Sequence, residues 1–172
     1  MSDAAIVRPE RPDDHPAVHT VNELAFGQPG EADLVDALRG AGAAILSLVA
    51  EMEGRIAGHI LFTSVTIEGP SGARTAVGLA PMSVLPWLQR RGIGSLLVRR
   101  GLEELRAAGH GAVIVLGHPS YYPRFGFVPA SRFGLRWEHE CPDEAFMALE
   151  LRPGALAGGG GIVRYRPEFE GV

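Results

Sequence analysis

Residues 82–95 are the most informative part of the sequence and read Met82-Ser83-Val84-Leu85-Pro86-Trp87-Leu88-Gln89-Arg90-Arg91-Gly92-Ile93-Gly94-Ser95. A predicted strand ends at Pro86, and a loop with two arginines and two glycines then leads into a long helix. The first turn of a helix attracts anions, because its N–H groups are unpaired and the helix dipole is positive there. Gly92 and Gly94 would let a phosphate approach the backbone, and the two arginines add charge. The pattern predicts an anion site; the alternative is a turn that needs glycine only for close packing.

The sequence after this loop completes a strand–helix–strand unit. Small and apolar residues recur at helical spacing up to about Ala108, at Leu97, Val98, Gly101, Leu102 and Leu105. Gly109 ends the helix, and the apolar run from Ala112 to Leu116 is typical of a buried strand. The unit therefore predicts two parallel strands with a right-handed crossover. It lacks the dinucleotide-binding glycine pattern, because Leu97 stands at the third glycine position.

Upstream of the loop, the sequence predicts two helices and then three strands in series. A first strand at 5–8 precedes a helix from Asp13 or Asp14 to about Ala25 and a second from Glu31 to Arg39. Strands are then predicted at 45–51, 55–67 and 75–85, with short turns between them. Strands joined in this way are antiparallel, and Pro81 predicts a bulge or an interrupted ladder in the last one.

The remaining residues predict shorter elements. Residues 121–127 favour a short helix or turn, and 146–151 and 162–165 favour strands. The fold class is therefore α/β (α+β), with a mixed, mostly antiparallel sheet flanked by helices around the βαβ unit. Because 172 residues contain no repeat or linker, we expect one domain over 1–172, with a core at about 4–151 and a C-terminal strand region at 152–172.

Composition excludes several classes of function. All 16 basic residues are arginine, which rules out a Schiff-base lysine and the lysine of a phosphate-binding P-loop. A net charge of -4 argues against a general nucleic-acid binder, and no apolar run is long enough to span a membrane. Cys141 is the single cysteine, so zinc-ligand spacing is absent and a cytoplasmic location is expected.

Two motifs resemble those of a known enzyme family. Gln89-Arg90-Arg91-Gly92-Ile93-Gly94, together with the strand end before it, resembles the acetyl-CoA-binding motif of the GCN5-related N-acetyltransferases. Tyr121-Tyr122-Pro123-Arg124-Phe125-Gly126-Phe127 resembles the second signature of that family, a tyrosine four residues before a Gly-Phe pair. The order of predicted elements agrees over nearly the whole chain. Residues 117–122 and 146–156 are similar to the bacterial YhbS-like branch of the family.

This resemblance implies an acetyl-CoA-dependent transfer in which a primary amine attacks the thioester directly, with no covalent enzyme intermediate and no metal. It implies that the strand at Met82-Ser83-Val84 separates from its parallel neighbour and holds the pantetheine arm by its main chain. It also implies that the N–H groups from Arg91 to Ser95 bind the pyrophosphate. The implied cofactor-binding residues are Met82, Ser83, Val84, Gln89, Arg90, Arg91, Gly92, Ile93, Gly94 and Ser95.

The resemblance further implies that Tyr122 protonates the departing thiolate. This role is chemically reasonable, because a thiol has a pKa of about 8.5 and a tyrosine of about 10. An unpaired N–H near Val84 would stabilise the oxyanion. The alternative for Tyr122 is an aromatic ring packed beside Phe125 and Phe127. We expect Tyr121 to be structural or to contact the cofactor.

The acceptor amine also needs a base to remove its proton. Residues 75–85 contain no carboxylate, so the candidates are Glu51, Glu53 and His118. A histidine suits proton removal near neutral pH, and His118 is the predicted base. Arg132, Arg136 and Trp137 are candidates for an acceptor pocket, with an exposed polar loop as the alternative.

The predicted function is an N-acetyltransferase whose acceptor is a small-molecule or peptide amine. Two alternatives stay open: a CoA-binding module with this fold but without catalysis, and an acyltransferase that uses a longer acyl-CoA. A homodimer is compatible with the sequence, but no residue pattern predicts one. Neither a nucleic-acid nor a membrane partner is expected.

Overall fold

The structure is a computed structural model that describes residues 4–172. These residues form three α-helices: α1 (His15–Phe26), α2 (Gly30–Gly40) and α3 (Ile93–Ala107). They also form nine strands: β1 (Ile6–Pro9), β2 (Ala44–Met52), β3 (Arg55–Gly69), β4 (Gly72–Val84), β5 (Ala112–Leu116), β6 (Val128–Pro129), β7 (Leu135–Trp137), β8 (Phe146–Glu150) and β9 (Gly161–Arg164). No helix within residues 4–172 has both the length and the apolar character needed to cross a membrane.

All nine strands belong to one sheet, in the order β1-β2-β3-β4-β5-β8-β6, with β9 beside β3 and β7 beside β9. The β4–β5 and β7–β9 pairs are parallel and the others are antiparallel. This confirms the predicted mixed, mostly antiparallel sheet. It also confirms that the strands before and after the long helix, β4 and β5, are parallel to each other. Strands β6 and β7 were not predicted, because two or three residues are too few to show a periodic pattern.

Helices cover both faces of the sheet. Helix α3 packs its apolar side, including Leu97 and Leu105, on one face. Gly101 allows this close approach, since a Cβ there would lie 2.5 Å from the Phe62 ring. Helices α1 and α2 lie on the other face, where Val18 and Leu38 join a cluster with residues of β2 and β3. Burial of these apolar side chains is the main favourable contribution to folding.

Strands β4 and β5 stay together over only two residue pairs, Val77 with Val113 and Gly78 with Ile114. β4 continues to Val84, so its last six residues have no β5 partner. The register between β3 and β4 also shifts beside Pro81, as the sequence predicted, because proline has no N–H for the ladder. The two parallel strands therefore diverge towards the start of α3.

Candidate active site

The loop before α3 exposes unpaired main-chain donors. Gly92 is the N-cap of α3 and has a left-handed φ of 85°, and no atom lies within 4 Å of the Cβ that another residue would add. The N–H groups from Arg91 to Ser95 have no hydrogen-bond acceptor in the described part of the chain. A cradle of free N–H groups beside open space fits a pyrophosphate group.

Positive charge surrounds this cradle. Arg90 and Arg91 are exposed, and neither forms an ion pair within residues 4–172. The Arg124 guanidinium lies 4.5 Å from the centre of the Tyr121 ring, which adjoins the start of α3. Gln89 has an internal role, because its Nε2 donates a hydrogen bond of 3.0 Å to the Val84 carbonyl. Its amide braces the loop against the end of β4.

Gly94 has a packing role. A Cβ at this position would lie 3.0 Å from the Tyr121 hydroxyl and 3.3 Å from Met82 Cε. The same hydroxyl lies 3.2 Å from Ser95 Oγ. For Gly94 the structure favours the close-packing alternative, whereas Gly92 keeps open space next to its backbone.

The side chain of Tyr122 lies in the core and is only 7% exposed. Its ring meets Phe127 edge-on with centroids 5.7 Å apart and crowds Gly117, where a Cβ would lie 2.5 Å from Tyr122 Cε2. Its hydroxyl has no hydrogen-bond partner among residues 4–172. Burial, reinforced by Tyr121, raises the pKa of Tyr122 above the ordinary tyrosine value. The ring thus packs as a core aromatic while its hydroxyl stays free.

A second buried phenol, which sequence reasoning missed, lies on the other face of the sheet. The ring of Tyr165 covers Gly78 of β4, where a Cβ would lie 3.1 Å from Tyr165 Cε1. Its hydroxyl is buried and has no hydrogen-bond partner in the part of the chain that the structure describes. Burial raises the pKa of Tyr165, and the nearby Tyr122 and Cys141 add to the effect. No local motif marks Tyr165, because its position depends on the strand pairing of β9.

The three predicted base candidates lie apart from one another. His118 is exposed in the loop after β5, and its carbonyl accepts the N–H groups of Tyr121 at 3.0 Å and Tyr122 at 3.4 Å. Glu51 is ion-paired with Arg8 on the β2 side of β3. Glu53 is exposed in the turn between β2 and β3. Of the three, only His118 directly follows a strand that borders the divergence.

Two clefts lie beside the diverging strands. A cleft of about 340 Å³ has Ala80 of β4, Leu116 of β5 and Trp137 in its lining. Trp137 and Arg136 also line a neighbouring open cleft of about 620 Å³. Arg132 is exposed and lines neither cleft.

Among residues 4–172, two groups of side chains have ligand atoms close enough to share a cation. They are His19, Asp33 and Asp36 on α1 and α2, and Glu138, His139 and Glu170 beside the smaller cleft. The expectation of a metal-free reaction therefore stays a prediction.

Comparison with known proteins agrees with the architecture. A family model described as an acetyltransferase (GNAT) domain matches residues 6–130. An uncharacterized N-acetyltransferase of Escherichia coli K12, YjhQ, is 44% identical over 149 residues, which are 82% of each chain. The uncharacterized N-acetyltransferase YhbS of the same strain is 35% identical over 165 residues, 95% of this chain and 98% of its own.

Two solved structures share the fold over nearly the whole chain. YhbS of Escherichia coli in complex with CoA superposes with a TM-score of 0.92 at 34% identity, covering 98% of this chain and 93% of that one. A GNAT family acetyltransferase of Brucella melitensis in complex with acetyl-CoA gives a TM-score of 0.81 at 37% identity, covering 98% and 100%. The resemblance seen in the two sequence motifs is thus confirmed by independent agreement of sequence and fold, and the chain belongs to the GCN5-related N-acetyltransferase (GNAT) family of enzymes.

Proposed function

We propose that this enzyme transfers the acetyl group of acetyl-CoA to a primary amine on a small molecule or peptide. We further propose that residues 1–172 act as one cytoplasmic domain, with the core at about 4–151. The observation that carries the proposal is the divergence of β4 from β5 between the free N–H groups of α3 and the unpaired hydroxyl of Tyr122. The YhbS and Brucella melitensis structures described above, at 34% and 37% identity, were solved with CoA and acetyl-CoA respectively.

The chain would hold acetyl-CoA by three sets of groups. The N–H groups from Arg91 to Ser95 would bind the pyrophosphate, with charge from Arg90 and Arg91. The end of β4, Met82-Ser83-Val84, pairs with β3 along one edge but has no β5 partner along the other, so its main chain on that edge would pair with the pantetheine arm as a neighbouring strand would. Gln89 would act indirectly, because its side chain fixes the loop to the end of β4. Ile93 and Gly94 would bind through their main-chain N–H groups, while the buried Ile93 side chain and the close packing at Gly94 hold the first turn of α3 in place.

Bound acetyl-CoA supplies an activated acetyl group as a thioester. The neutral amine nitrogen attacks the carbonyl carbon, so that a C–N bond forms and the C–S bond breaks. His118 takes the surplus proton of the nitrogen, and Tyr122 gives its phenolic proton to the leaving sulfur. A main-chain N–H near Val84 stabilises the oxyanion. The products are an acetamide and the CoA thiol, and both side chains recover their starting protonation from solvent.

Burial keeps the proton on Tyr122 until the thiolate departs. Because burial raises its pKa, the phenol stays protonated throughout the working pH range. The same burial makes the phenolate costly, so the proton moves only as the sulfur gains its negative charge, and the phenolate then takes a proton from solvent. The ring contacts with Phe125 and Phe127 hold the hydroxyl in one orientation.

A panel of primary amines with acetyl-CoA tests the proposed function. CoA thiol release is measured against a control without amine, and the product is identified by its mass. The expected result is amine-dependent release and a product heavier by one acetyl group. Binding of acetyl-CoA with no acetylated product from any small amine or peptide would instead identify a CoA-binding module. Faster transfer from a longer acyl-CoA would identify a different acyl donor.

A further inference from the structure

We propose that the cleft on the sheet face opposite α3 binds the acceptor, and that this acceptor is a short organic dication such as an alkyl diamine. One nitrogen reaches the strand divergence between Ala80 and Leu116, and the second positive charge is held by Glu138 and Glu170. The inference rests on the proposed acetyl transfer for its reaction, but its binding claim can be tested separately.

The floor of the cleft is the gap between the parallel strands. Gly78 of β4 faces Tyr165, away from α3, and the alternation along a strand gives Ala80 the same face. Leu116 shares its face with Ile114, which packs in the cluster on that side of β5. An amine in the cleft therefore reaches the gap from the side opposite the cradle at the start of α3.

Acidic side chains converge at the cleft wall. The Glu138 side chain is 15% exposed, and its Oε1 lies 3.8 Å from His139 Nε2. Glu170 is exposed and forms no ion pair with any described residue. Donor atoms of Glu138, His139 and Glu170 lie within 4.8 Å of one another. Two carboxylates held this close repel each other, and a cation between them relieves the repulsion.

The positive charges near the cleft are already paired. Arg166 lines the cleft, but its Nη2 and Nε bind Glu168 at 2.8 and 3.2 Å. Arg164 is shared between Glu138 at 3.0 Å and Glu68 at 2.9 Å. Among the charged side chains that line the cleft, the two carboxylates of Glu138 and Glu170 outnumber the one guanidinium of Arg166. The cleft keeps a surplus of negative charge.

An independent observation points to a bound polar group. The Tyr165 hydroxyl is buried and has no hydrogen-bond partner among residues 4–172, and the Tyr165 side chain lines the same cleft. A buried hydroxyl without a partner is costly, so a ligand that donates a hydrogen bond to it is favoured. An ammonium or amine N–H is such a donor.

The remaining walls are aromatic. Phe169 meets the Tyr165 ring with centroids 5.2 Å apart, and Trp137 meets His139 edge-on at 4.9 Å. Aromatic faces beside carboxylates attract organic cations and also cover their methylene groups. The cleft volume of about 340 Å³ is near the lower limit for small-molecule sites, which suits a short alkyl chain.

Isothermal titration of the CoA-saturated protein tests the binding claim without any turnover. The probes are 1,4-diaminobutane and the monoamine butylamine, which has the same chain length. We expect the diamine to bind at least about tenfold more tightly than butylamine, as one partly buried charge contact provides. The double variant Glu138→Gln/Glu170→Gln should bind both amines equally. Equal binding of the two amines to the wild type would overturn the proposal, as would an unchanged preference in the double variant.

A matched control separates the cleft from the ion pair beside it. Glu68→Gln removes the other partner of Arg164 but leaves the cleft lining unchanged, so the diamine preference should persist. If the preference is lost equally in Glu68→Gln, the effect comes from Arg164 and the proposal is wrong. Stoichiometric zinc held by the wild type and lost in the double variant would assign the three side chains to a metal instead.

Turnover separates this inference from the proposed function. If diamine binding depends on Glu138 and Glu170 but no acetylated diamine forms, the proposed binding site is correct and the proposed acetyl transfer to the diamine is wrong. If amines are acetylated but the diamine is used no better than the monoamine, the proposed function is correct and the proposed diamine site is wrong. Tyr165→Phe adds a further readout: diamine binding should weaken severalfold, while acetyl-CoA binding should stay unchanged.

Discussion

Tyr121 and Tyr122 are neighbours in sequence, and their rings meet at 89° with centroids 5.1 Å apart. This perpendicular contact sends their hydroxyls to different surroundings. The Tyr121 hydroxyl lies 3.2 Å from Ser95 Oγ at the start of α3. Tyr122 is buried beside the diverging strands, and its hydroxyl has no partner within residues 4–172. Of the two phenols, Tyr122 is therefore the one free to donate a proton to a leaving group.

Replacing Tyr122 with Phe tests this role directly. The ring contacts remain, so stability should change little, whereas turnover should fall by roughly 10²- to 10⁴-fold, the usual contribution of a general acid. Acetyl-CoA affinity should stay within a few-fold, because the hydroxyl acts mainly as the thiolate departs. Steady-state kinetics and acetyl-CoA titration measure the two effects. Near-normal turnover in this variant would exclude Tyr122 as the acid.

Tyr121→Phe is the matched control, because it removes the neighbouring hydroxyl and its contact to Ser95. Its turnover should decrease far less than that of Tyr122→Phe. A larger loss of turnover in Tyr121→Phe than in Tyr122→Phe would show that Tyr121, and not Tyr122, is the proton donor.

The pH profile gives a second test of Tyr122. Burial raises the pKa of Tyr122, so the wild-type enzyme should keep its proton donor beyond pH 10. Turnover on an amine acceptor should therefore show no decline between pH 8 and pH 10. A decline centred near pH 9 that disappears in Tyr122→Phe would show that the phenol ionises far more readily than its burial implies.

Gly92 tests the pyrophosphate cradle. A leucine there takes a left-handed backbone at a cost of about 1–2 kcal/mol, and its side chain enters the open space beside the N–H groups. For the wild type, acetyl-CoA at a hundred times its Kd should add about 2.7 kcal/mol of stability. Gly92→Leu should still fold but lose this gain in a thermal shift assay.

Gly109 provides the control for backbone strain. It ends the same helix with a φ of 89°, and no atom lies within 4 Å of its Cβ position. Gly109→Leu should therefore lose similar stability but keep the full thermal shift with acetyl-CoA. An equal acetyl-CoA thermal shift in Gly92→Leu and Gly109→Leu would show that the N–H groups at the start of α3 do not bind the pyrophosphate.

His118 is the predicted base, and its replacement tests this role. His118→Asn should lower turnover by roughly 10²-fold or more, the usual contribution of a general base, because asparagine cannot take the proton of the amine. Its exposed position means that folding stability should change by less than about 0.5 kcal/mol. Near-normal turnover in this variant would rule out His118 as the base.

His59 makes stability depend on pH. It is fully buried on β3, with Nδ1 3.2 Å from Asn22 Nδ2 and Nε2 2.9 Å from Ser47 Oγ. Burial, with a contribution from Arg39, lowers the pKa of His59 to about 3. The unfolded chain binds this proton near pH 6.5, so the stability from His59 is present above pH 6.5 and lost as the pH falls towards 3.

Urea unfolding at pH 7.5 and pH 5.0 measures the effect. Stability should drop by about 2 kcal/mol over this interval through His59 alone. Asp14, whose pKa is lowered to about 2 mainly by its hydrogen bond with Arg8, loses its contribution only at lower pH. In His59→Gln the drop should disappear, whatever the absolute stability of the variant. The exposed-site variant His118→Asn should keep the wild-type dependence, and a drop retained in His59→Gln would contradict the assignment.

Most of the fold follows from local patterns. The spacing of Leu97, Leu102 and Leu105 predicted α3 within one or two residues at each end, and the apolar run predicted β5 with its observed bounds. Periodicity and turns are properties of neighbouring residues, so they can be read before the chain folds. Strands β6 and β7 escaped prediction because pairing with β8 and β9 creates them.

The residue patterns were enough to recognise the family, and they predicted the pyrophosphate site at the start of α3 and Tyr122 as the proton donor. The packing of distant segments showed what the patterns could not: Gly94 is closely packed, and within residues 4–172 the Tyr122 hydroxyl, unlike that of Tyr121, has no hydrogen-bond partner. It also brought Tyr165 to Gly78 and formed the acidic cleft. The cleft could not be predicted because it depends on the parallel pairing of Trp137 with Val163. This is a contact between distant segments, and it leaves no periodic signal in either of them.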